Sequence, residues 1–221
     1  MPSQRLTIVL GSRSPRRFEL LQQIVSADRI EVVPPRSTLE EGFDGLDDWP
    51  GLEHRLTQIA RTKCDDVLQQ THERRSRQAG DDVAAVVAAD TIIVATNQQR
   101  RLVVLGQPPE DSAWDSEVRR WFREYYAGKT HTAMTSVCVA TLLGQRCERV
   151  VSSQVTFHSD VEDWLDWYVA TGEPVGKAGG YALQGAGGVF VSRVEGSISN
   201  VVGLPLRELL QAFEELGIDV G

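Results

Sequence analysis

The chain is poor in cysteine and histidine and has no long apolar run, and each shortage excludes a class of protein. Its three cysteines, Cys64, Cys138 and Cys147, are odd in number and show no C-x-x-C spacing, so neither a disulfide framework nor a zinc site is expected. The four histidines lack ligand spacing. The apolar runs are far shorter than the roughly 18 residues that span a bilayer, and the one after Arg5 is too short for a signal peptide. We therefore expect a cytoplasmic protein.

Positive charge is also in short supply. The sequence contains 23 lysines and arginines against 31 aspartates and glutamates, a net charge of −8. This balance disfavours binding to nucleic acid or to an anionic membrane. The 221 residues can bury a sizeable core, and no repeat or interdomain linker divides them. We predict one domain over residues 1–221.

Both common glycine motifs for nucleotide binding are missing from the sequence. There is no G-x-x-x-x-G-K-[ST], and no G-x-G-x-x-G opens a helix. A different glycine-rich tract, Gly176 to Gly188, indicates tight turns or close backbone approach. A flexible linker is the alternative, but Tyr181, Leu183 and Gln184 interrupt the tract.

The hydrophobic pattern alternates between strand and helix periods. Strands are predicted near residues 6–10, 29–34, 83–88, 91–95, 102–105, 130–142 and 146–157, and helices from 15, over 50–70, around 114–125, after Ser159 and from Pro205. Ser159 and Glu162 are spaced as a capping box, and the polar residues 71–82 are predicted to form a surface loop. The pattern predicts an α/β domain with a mixed, twisted sheet flanked by helices, two-lobed with a central cleft.

The most informative local feature is the turn that follows the first strand. Ser14 is placed as an N-cap and Pro15 as the first helical residue. Three arginines share this turn: Arg13, Arg16 and Arg17. Arginine is disfavoured at the positive end of a helix dipole, so the cluster favours an external anion such as phosphate. A solvated basic first turn is the alternative.

Asp90 interrupts the apolar segment A-A-D-T-I-I-V. A carboxylate between buried strands is costly unless a cation or hydrogen bonds compensate for its desolvation. Beside a phosphate site it suits a metal ligand or a general base, whereas alone it would suit the end of a strand. Glu40 and Glu41, in an acidic stretch, are further metal-ligand candidates, although such a stretch is also typical of a solvated loop.

Together these motifs resemble the Maf-like nucleoside triphosphate pyrophosphatases, also called septum formation proteins. The resemblance covers nearly the whole chain and includes L-G-S-R-S-P-R-R-F-E-L-L, I-A-R-T-K, A-A-D-T-I-I-V, G-K-T-H-T-A-M-T-S-V, G-E-P-V-G-K-A-G-G-Y-A-L-Q-G and G-S-I-S-N-V-V-G-L-P-L. It implies a Maf/ITPase-like fold and a cytoplasmic enzyme that is commonly a homodimer. It also implies dependence on Mg²⁺ or Mn²⁺, with release of pyrophosphate from a nucleoside triphosphate.

The resemblance assigns roles by position. Ser12, Arg16 and Arg17 correspond to the triphosphate-binding turn, Lys63 to a basic residue that reaches the phosphates, Asp90 to the catalytic proton acceptor and a metal ligand, and Glu40 or Glu41 to the acidic metal-site residue. Lys177 lies in the matched glycine-rich segment, and its role is left open.

The resemblance also implies a substrate class. Arg16, Thr91 and Gln184 together resemble the branch that acts on dTTP and UTP rather than on 7-methyl-GTP. A glutamine amide can donate to O4 and accept from N3–H of thymine or uracil. Turned over, the same amide would serve cytosine, so a neighbour must fix its orientation.

One position departs from the family pattern. The family usually has G-K-P after the second hairpin strand, whereas this chain has G-Q-P with Gln107. Glutamine supplies no charge to a triphosphate, so we expect weaker binding or lower turnover, partly compensated by Arg13 or Lys177. The missing lysine supports an alternative function, a nucleotide-binding regulatory protein of cell division with little catalysis.

Overall fold

A single mixed sheet organises the protein. The structure is a computed structural model that describes residues 6–37, 42–76 and 83–220. Within these residues the strands are β1 (Thr7–Gly11), β2 (Ile30–Val32), β3 (Val83–Thr96), β4 (Leu102–Leu105), β5 (Thr130–Ala140), β6 (Arg146–Phe157) and β7 (Val191–Glu195). The α-helices are α1 (Pro15–Leu21), α2 (Trp49–Arg75), α3 (Trp114–Trp121), α4 (Glu162–Ala170), α5 (Ile198–Val202) and α6 (Leu206–Glu215).

The long strand β3 creates an opening in the sheet. The strand order is β2-β1-β3-β5-β6-β7, with β4 also paired to β3. On one edge of β3, parallel β1 pairs as far as Ala88 and antiparallel β4 pairs from Ile93. Between them, no described strand pairs with that edge of β3. The chain segments that leave β1 and β4 diverge at this split, and a cleft opens there.

Two polar residues of β3 lie at the split. Asp90 pairs with Ser136 of β5, and Thr91 pairs with Thr135. Successive side chains point to opposite faces, so each face of the sheet carries one polar pair. Each pair separates two hydrophobic clusters on its own face. This polar break divides the core into two lobes. The predicted α/β fold, with a mixed sheet, flanking helices and a cleft, is confirmed.

The hydrophobic clusters assign the helices to the faces of the sheet. The face of Asp90 is covered by α2, through one cluster that includes Val67 and another that includes Leu56. On the face of Thr91, α1 and α6 pack on one side of the polar pair, and α3 and α4 pack on the other. Among the described residues, no helix combines the length and the apolar character that crossing a membrane requires.

Two predicted element boundaries were wrong. Helix α2 extends through residues 71–75, which were predicted to be loop, because Thr71 is buried and donates to Val67 O at 2.8 Å. Residues 83–96 form one continuous strand, so Asp90 lies within β3 and does not end a strand. The missing neighbours on one edge expose a mid-strand carboxylate to the cleft.

The predicted helix caps were only partly correct. Ser14 occupies the N-cap of α1, but its side chain makes no capping bond, and its N–H donates to Ser12 Oγ at 3.1 Å instead. The predicted Ser159–Glu162 capping box is wrong, because Val161 is the N-cap of α4. The Glu162 carboxylate instead accepts from Arg123 Nε at 2.9 Å.

Candidate active site

The split in the sheet contains a cleft of about 680 Å³. Every predicted site residue that the structure describes lines it: Ser12, Arg16, Arg17, Lys63, Asp90, Thr91, Lys177 and Gln184. Glu40 and Glu41 lie outside the described residues. Positions up to 172 residues apart in the chain thus meet in one cavity, as the resemblance implied.

The cleft is basic although the protein is acidic. Its described lining contains five basic side chains, Arg13, Arg16, Arg17, Lys63 and Lys177, and two acidic ones, Asp90 and Glu110. The whole chain carries a net charge of −8. Positive charge concentrated in a concave, partly desolvated surface attracts anions more strongly than the same charge spread over the exterior. The cleft is therefore suited to a polyanionic ligand. Sequence reasoning missed Glu110, which no motif marked.

An ion pair lies on the α2 side of the cleft. Lys63 Nζ is 2.6 Å from Asp90 Oδ1, and both side chains are mostly buried, with 17% and 14% exposed. Helix α2 places Lys63 beside Cys64 and Val67, whose side chains pack on the sheet. The ammonium group compensates for the desolvation of the carboxylate, which lies within an otherwise apolar strand. An acid and a cation thus face the same ligand space.

The two adjacent arginines of the turn have different environments. Arg17 donates from Nε to Gly203 O at 2.9 Å and from Nη2 to Thr91 Oγ1 at 3.1 Å. Its Nη1 also lies 3.5 Å from Ser12 Oγ. Arg16 is half-buried in the cleft wall and forms no hydrogen bond with any described residue. The structure therefore leaves Arg16 with more donors available to a ligand, while Arg17 joins α1 to β3 and to the end of α5.

A buried polar chain continues from Thr91. Thr91 Oγ1 and Thr135 Oγ1 are 3.0 Å apart, and Thr135 donates to Asn200 O at 3.2 Å. Asn200 is fully buried, and its Nδ2 donates to Ala133 O and Ser153 Oγ. Sequence reasoning missed Thr135 and Asn200, because neither position stands out until β5 and α5 are packed together.

The glycine-rich segment forms a rigid wall of the cleft. Gly179 has φ +70°, and a Cβ there would lie 2.5 Å from Tyr126 Oη. That hydroxyl donates to Gly179 O at 2.8 Å, and Tyr168 Oη lies 3.0 Å from Gly180 O. Burial raises the pKa of both tyrosines, so both remain protonated donors. The segment is anchored, and it is not a flexible linker.

Two glutamines lie at the mouth of the cleft. Gln184 and Gln107 are both exposed, and neither side chain forms a hydrogen bond with a described residue. Gln184 follows the anchored glycines, and Gln107 follows Gly106, whose carbonyl accepts from Gly179 N at 2.8 Å. Their amide groups are available to donate to a ligand and to accept from it.

The chain matches a known protein family over most of its length. The model of the family described as Maf-like protein matches residues 7–216. The chain belongs to this family. The Maf-like chain is 39% identical over 213 residues to a protein from Anaeromyxobacter dehalogenans named dTTP/UTP pyrophosphatase, covering 95% of this chain and 94% of that relative. A protein of the same name from Myxococcus xanthus is 36% identical, with 99% and 96% covered.

Likeness to solved structures is weaker. A nucleoside-triphosphatase described as a dITP/XTP pyrophosphatase, from Mycobacterium abscessus, is 12% identical to the Maf-like chain, with a TM-score of 0.38. The alignment covers 70% of this chain and 75% of that one. This likeness is too low to bear on the function.

The described lining of the Maf-like cleft offers few protein ligands to a divalent cation. No group of three potential ligands among His, Cys, Asp and Glu occurs in the part of the chain that the structure describes. Mg²⁺ is usually held by one or two protein carboxylates, with substrate phosphates and water completing its coordination. Asp90, in a basic cleft suited to phosphates, fits that requirement.

Proposed function

We propose that this Maf-like protein hydrolyses dTTP and UTP to the monophosphate and pyrophosphate, using Mg²⁺ or Mn²⁺. The observation that carries the proposal is the position of Asp90. Its carboxylate meets Lys63 at 2.6 Å inside a basic cleft. The names of the Maf-like relatives from Anaeromyxobacter and Myxococcus, both dTTP/UTP pyrophosphatases, support the same reaction and substrates.

The basic side chains bind the triphosphate in this proposal. Arg16 and Lys63 make charge-assisted hydrogen bonds to phosphate oxygens, which are roughly twice as strong as neutral ones. Lys177 also lines the cleft and adds positive charge. Arg17 and Ser12 hold the turn in place while they line the phosphate end. In the substrate complex, Lys63 shares its donors between Asp90 and the phosphates.

Asp90 is the proton acceptor in this proposal. A water oxygen bonds to the α-phosphorus, the bond from that phosphorus to the bridging oxygen of the β-phosphate breaks, and pyrophosphate leaves in line. The proton of the water passes to the Asp90 carboxylate. A divalent cation held by Asp90, with Glu40 or Glu41, would neutralise phosphate charge and increase the acidity of the attacking water.

Gln184 recognises the base in this proposal. Its amide donates to O4 and accepts from N3–H of thymine or uracil. Thr91 and Arg16 act at the phosphate and sugar side of the cleft. Adenine presents the reverse pattern of donor and acceptor, so the amide would leave it unpaired in this orientation. Guanine presents O6 and N1–H in the same order, so its exclusion depends on the larger size of the purine ring and not on the amide.

The decisive experiment measures pyrophosphate released from a panel of nucleoside triphosphates. The purified protein is incubated with dTTP, UTP, CTP, ATP, GTP and 7-methyl-GTP, each with Mg²⁺, Mn²⁺ or EDTA. We expect release from dTTP and UTP with metal and none with EDTA. Release mainly from 7-methyl-GTP would contradict the substrate assignment while preserving the reaction.

A second function is supported by Gln107, which replaces the family lysine. A nucleotide-binding regulatory protein would bind dTTP or UTP in calorimetry but release no pyrophosphate under any metal condition. The same panel separates this function from catalysis.

We further propose that the protein is a cytoplasmic homodimer, as the family resemblance implies. Light scattering coupled to gel filtration should give twice the mass of the 24.5 kDa chain. A mass of one chain at the concentrations used for catalysis would refute the dimer.

A further inference from the structure

Glu173 binds the backbone immediately beyond Gln184. Its Oε2 accepts from Ala186 N at 2.7 Å, and its Oε1 accepts from Gly187 N at 2.8 Å. Glu173 itself follows the end of α4. A carboxylate that accepts two backbone N–H groups makes strong, directional contacts, so residues 186 and 187 are held relative to α4.

The turn that carries Gln184 is built around this carboxylate. Gly185 N donates to Ala182 O at 3.2 Å and closes the turn. A Cβ on Gly185 would lie only 2.1 Å from Glu173 Oε2. The Glu173 carboxylate therefore occupies space that a side chain at position 185 would fill, so its position requires glycine there.

The other end of the turn is joined to the same group. Tyr168 Oη lies 3.0 Å from Gly180 O and 3.3 Å from Glu173 Oε1. One tyrosine thus contacts both the backbone before the turn and the carboxylate that holds the backbone after it. The Gln184 amide has no described hydrogen-bond partner of its own, so the position of its backbone in the turn is what the structure fixes.

We propose that Glu173 is a positioning residue that holds the backbone of Gln184 at the cleft, where its amide meets the base, and thereby supports the preference for thymine and uracil over cytosine. The inference rests on the proposed function, because it assigns base recognition to Gln184. In cytosine, the donor and acceptor positions that face the amide are exchanged relative to thymine and uracil. Without the bonds to Glu173 the backbone of Gln184 can shift, which weakens the hydrogen bonds from its amide to thymine or uracil and reduces discrimination between the bases.

The test compares Glu173→Gln with the control Glu162→Gln. Glutamine at 173 is nearly isosteric, but its NH₂ group faces one of the two backbone N–H donors. Glu162 lies at the start of α4, and its carboxylate pairs with Arg123 away from the cleft. Values of kcat and KM are measured for dTTP, UTP and CTP, together with the melting temperature of each variant.

We expect Glu173→Gln to lower the ratio of kcat/KM for dTTP to that for CTP about tenfold, the size expected when one hydrogen bond between the Gln184 amide and the base is lost. The loss falls mainly on KM for dTTP, and the control keeps the wild-type ratio. An unchanged ratio, or an equal loss for all three nucleotides, overturns the inference. If Glu173→Gln does not fold, the same ratio of kcat/KM values is measured for Tyr168→Phe. We expect a smaller fall in that ratio, and an unchanged ratio would again overturn the inference.

The outcome for the wild-type protein separates the two proposals. Wild type that releases no pyrophosphate overturns the proposed function and this inference with it. Wild type that hydrolyses CTP as fast as dTTP overturns the inference and leaves the reaction in place. Both proposals are supported if the wild-type protein is active and prefers dTTP to CTP, and if Glu173→Gln reduces that preference.

Discussion

Arg17 donates from Nη2 to Thr91 Oγ1 across 3.1 Å, joining the turn after β1 to the centre of β3. The same guanidinium reaches Gly203 O, so three segments that form the cleft meet at one side chain. Arg16, the adjacent residue in the sequence, makes no such bonds to the described residues. Two neighbouring arginines with the same formal charge therefore have different tasks.

Substitution of each arginine by alanine should separate these tasks. Arg17→Ala should lower the free energy of unfolding by about 3 kcal/mol, because charged hydrogen bonds to Gly203 O and Thr91 are lost. For a chain of this size that corresponds to a fall of roughly 6–12 °C in the melting temperature. Arg16→Ala should leave the melting temperature within about 2 °C of wild type and raise KM for dTTP. Equal melting temperatures for the two variants would contradict this division.

Asp90→Asn should abolish turnover while preserving the fold. The amide keeps the size of the carboxylate but cannot accept the proton, and a positioned general base contributes typically 10²–10⁴-fold to a rate. Pyrophosphate release is the measurement, with circular dichroism to check folding. The matched control is Asp65→Asn on α2, where the carboxylate pairs with Arg146 outside the cleft. Activity near wild type in Asp90→Asn would remove Asp90 from the mechanism.

Gln107→Lys should raise kcat/KM for dTTP about tenfold, because a lysine at the cleft mouth adds a charge-assisted contact to the triphosphate. Gln98→Lys adds the same charge in the turn between β3 and β4, away from the cleft. Steady-state kinetics of both variants at two salt concentrations are the measurement. A similar gain in both would indicate long-range attraction by net charge rather than a contact at residue 107.

The pH dependence of stability should contain a contribution from His131. Burial lowers the pKa of His131 to about 3, well below its ordinary value of 6.5. The unfolded chain therefore binds the proton more readily. The contribution of His131 to the free energy of unfolding is fully present above pH 6.5. It falls by about 1.4 kcal/mol per pH unit as the pH decreases from 6.5 toward 3.

Urea unfolding of wild type, His131→Phe and the exposed control His54→Phe checks this contribution. Between pH 6.5 and pH 5, wild type and the control should lose about 2 kcal/mol more than His131→Phe loses. Phenylalanine suits the aromatic surroundings, where the His131 ring lies 5.1 Å from Phe157, although it loses the bond to Tyr181. Parallel pH profiles for all three proteins would disprove the assignment.

The sequence was most informative where residues broke a local pattern. Asp90 stood out because a carboxylate interrupts an apolar strand, and the arginines stood out because they crowd a helix start. Local periodicity does not report on neighbours in space, however. The extension of α2 beyond residue 70 depends on packing of Thr71, and the continuity of β3 depends on pairing with β5.

By itself, then, the sequence determined the α/β class and the family resemblance, because these depend on residue type and spacing along the chain. The resemblance in turn named eight residues that line the cleft. Only the tertiary structure decided which arginine is used internally and what holds Gln184 in place. Arg17 bonds to a carbonyl 186 residues away, and Glu173 binds amides 13 and 14 residues further on. Such bonds form only when packing brings donor and acceptor within about 3 Å, and no pattern along the chain encodes that distance.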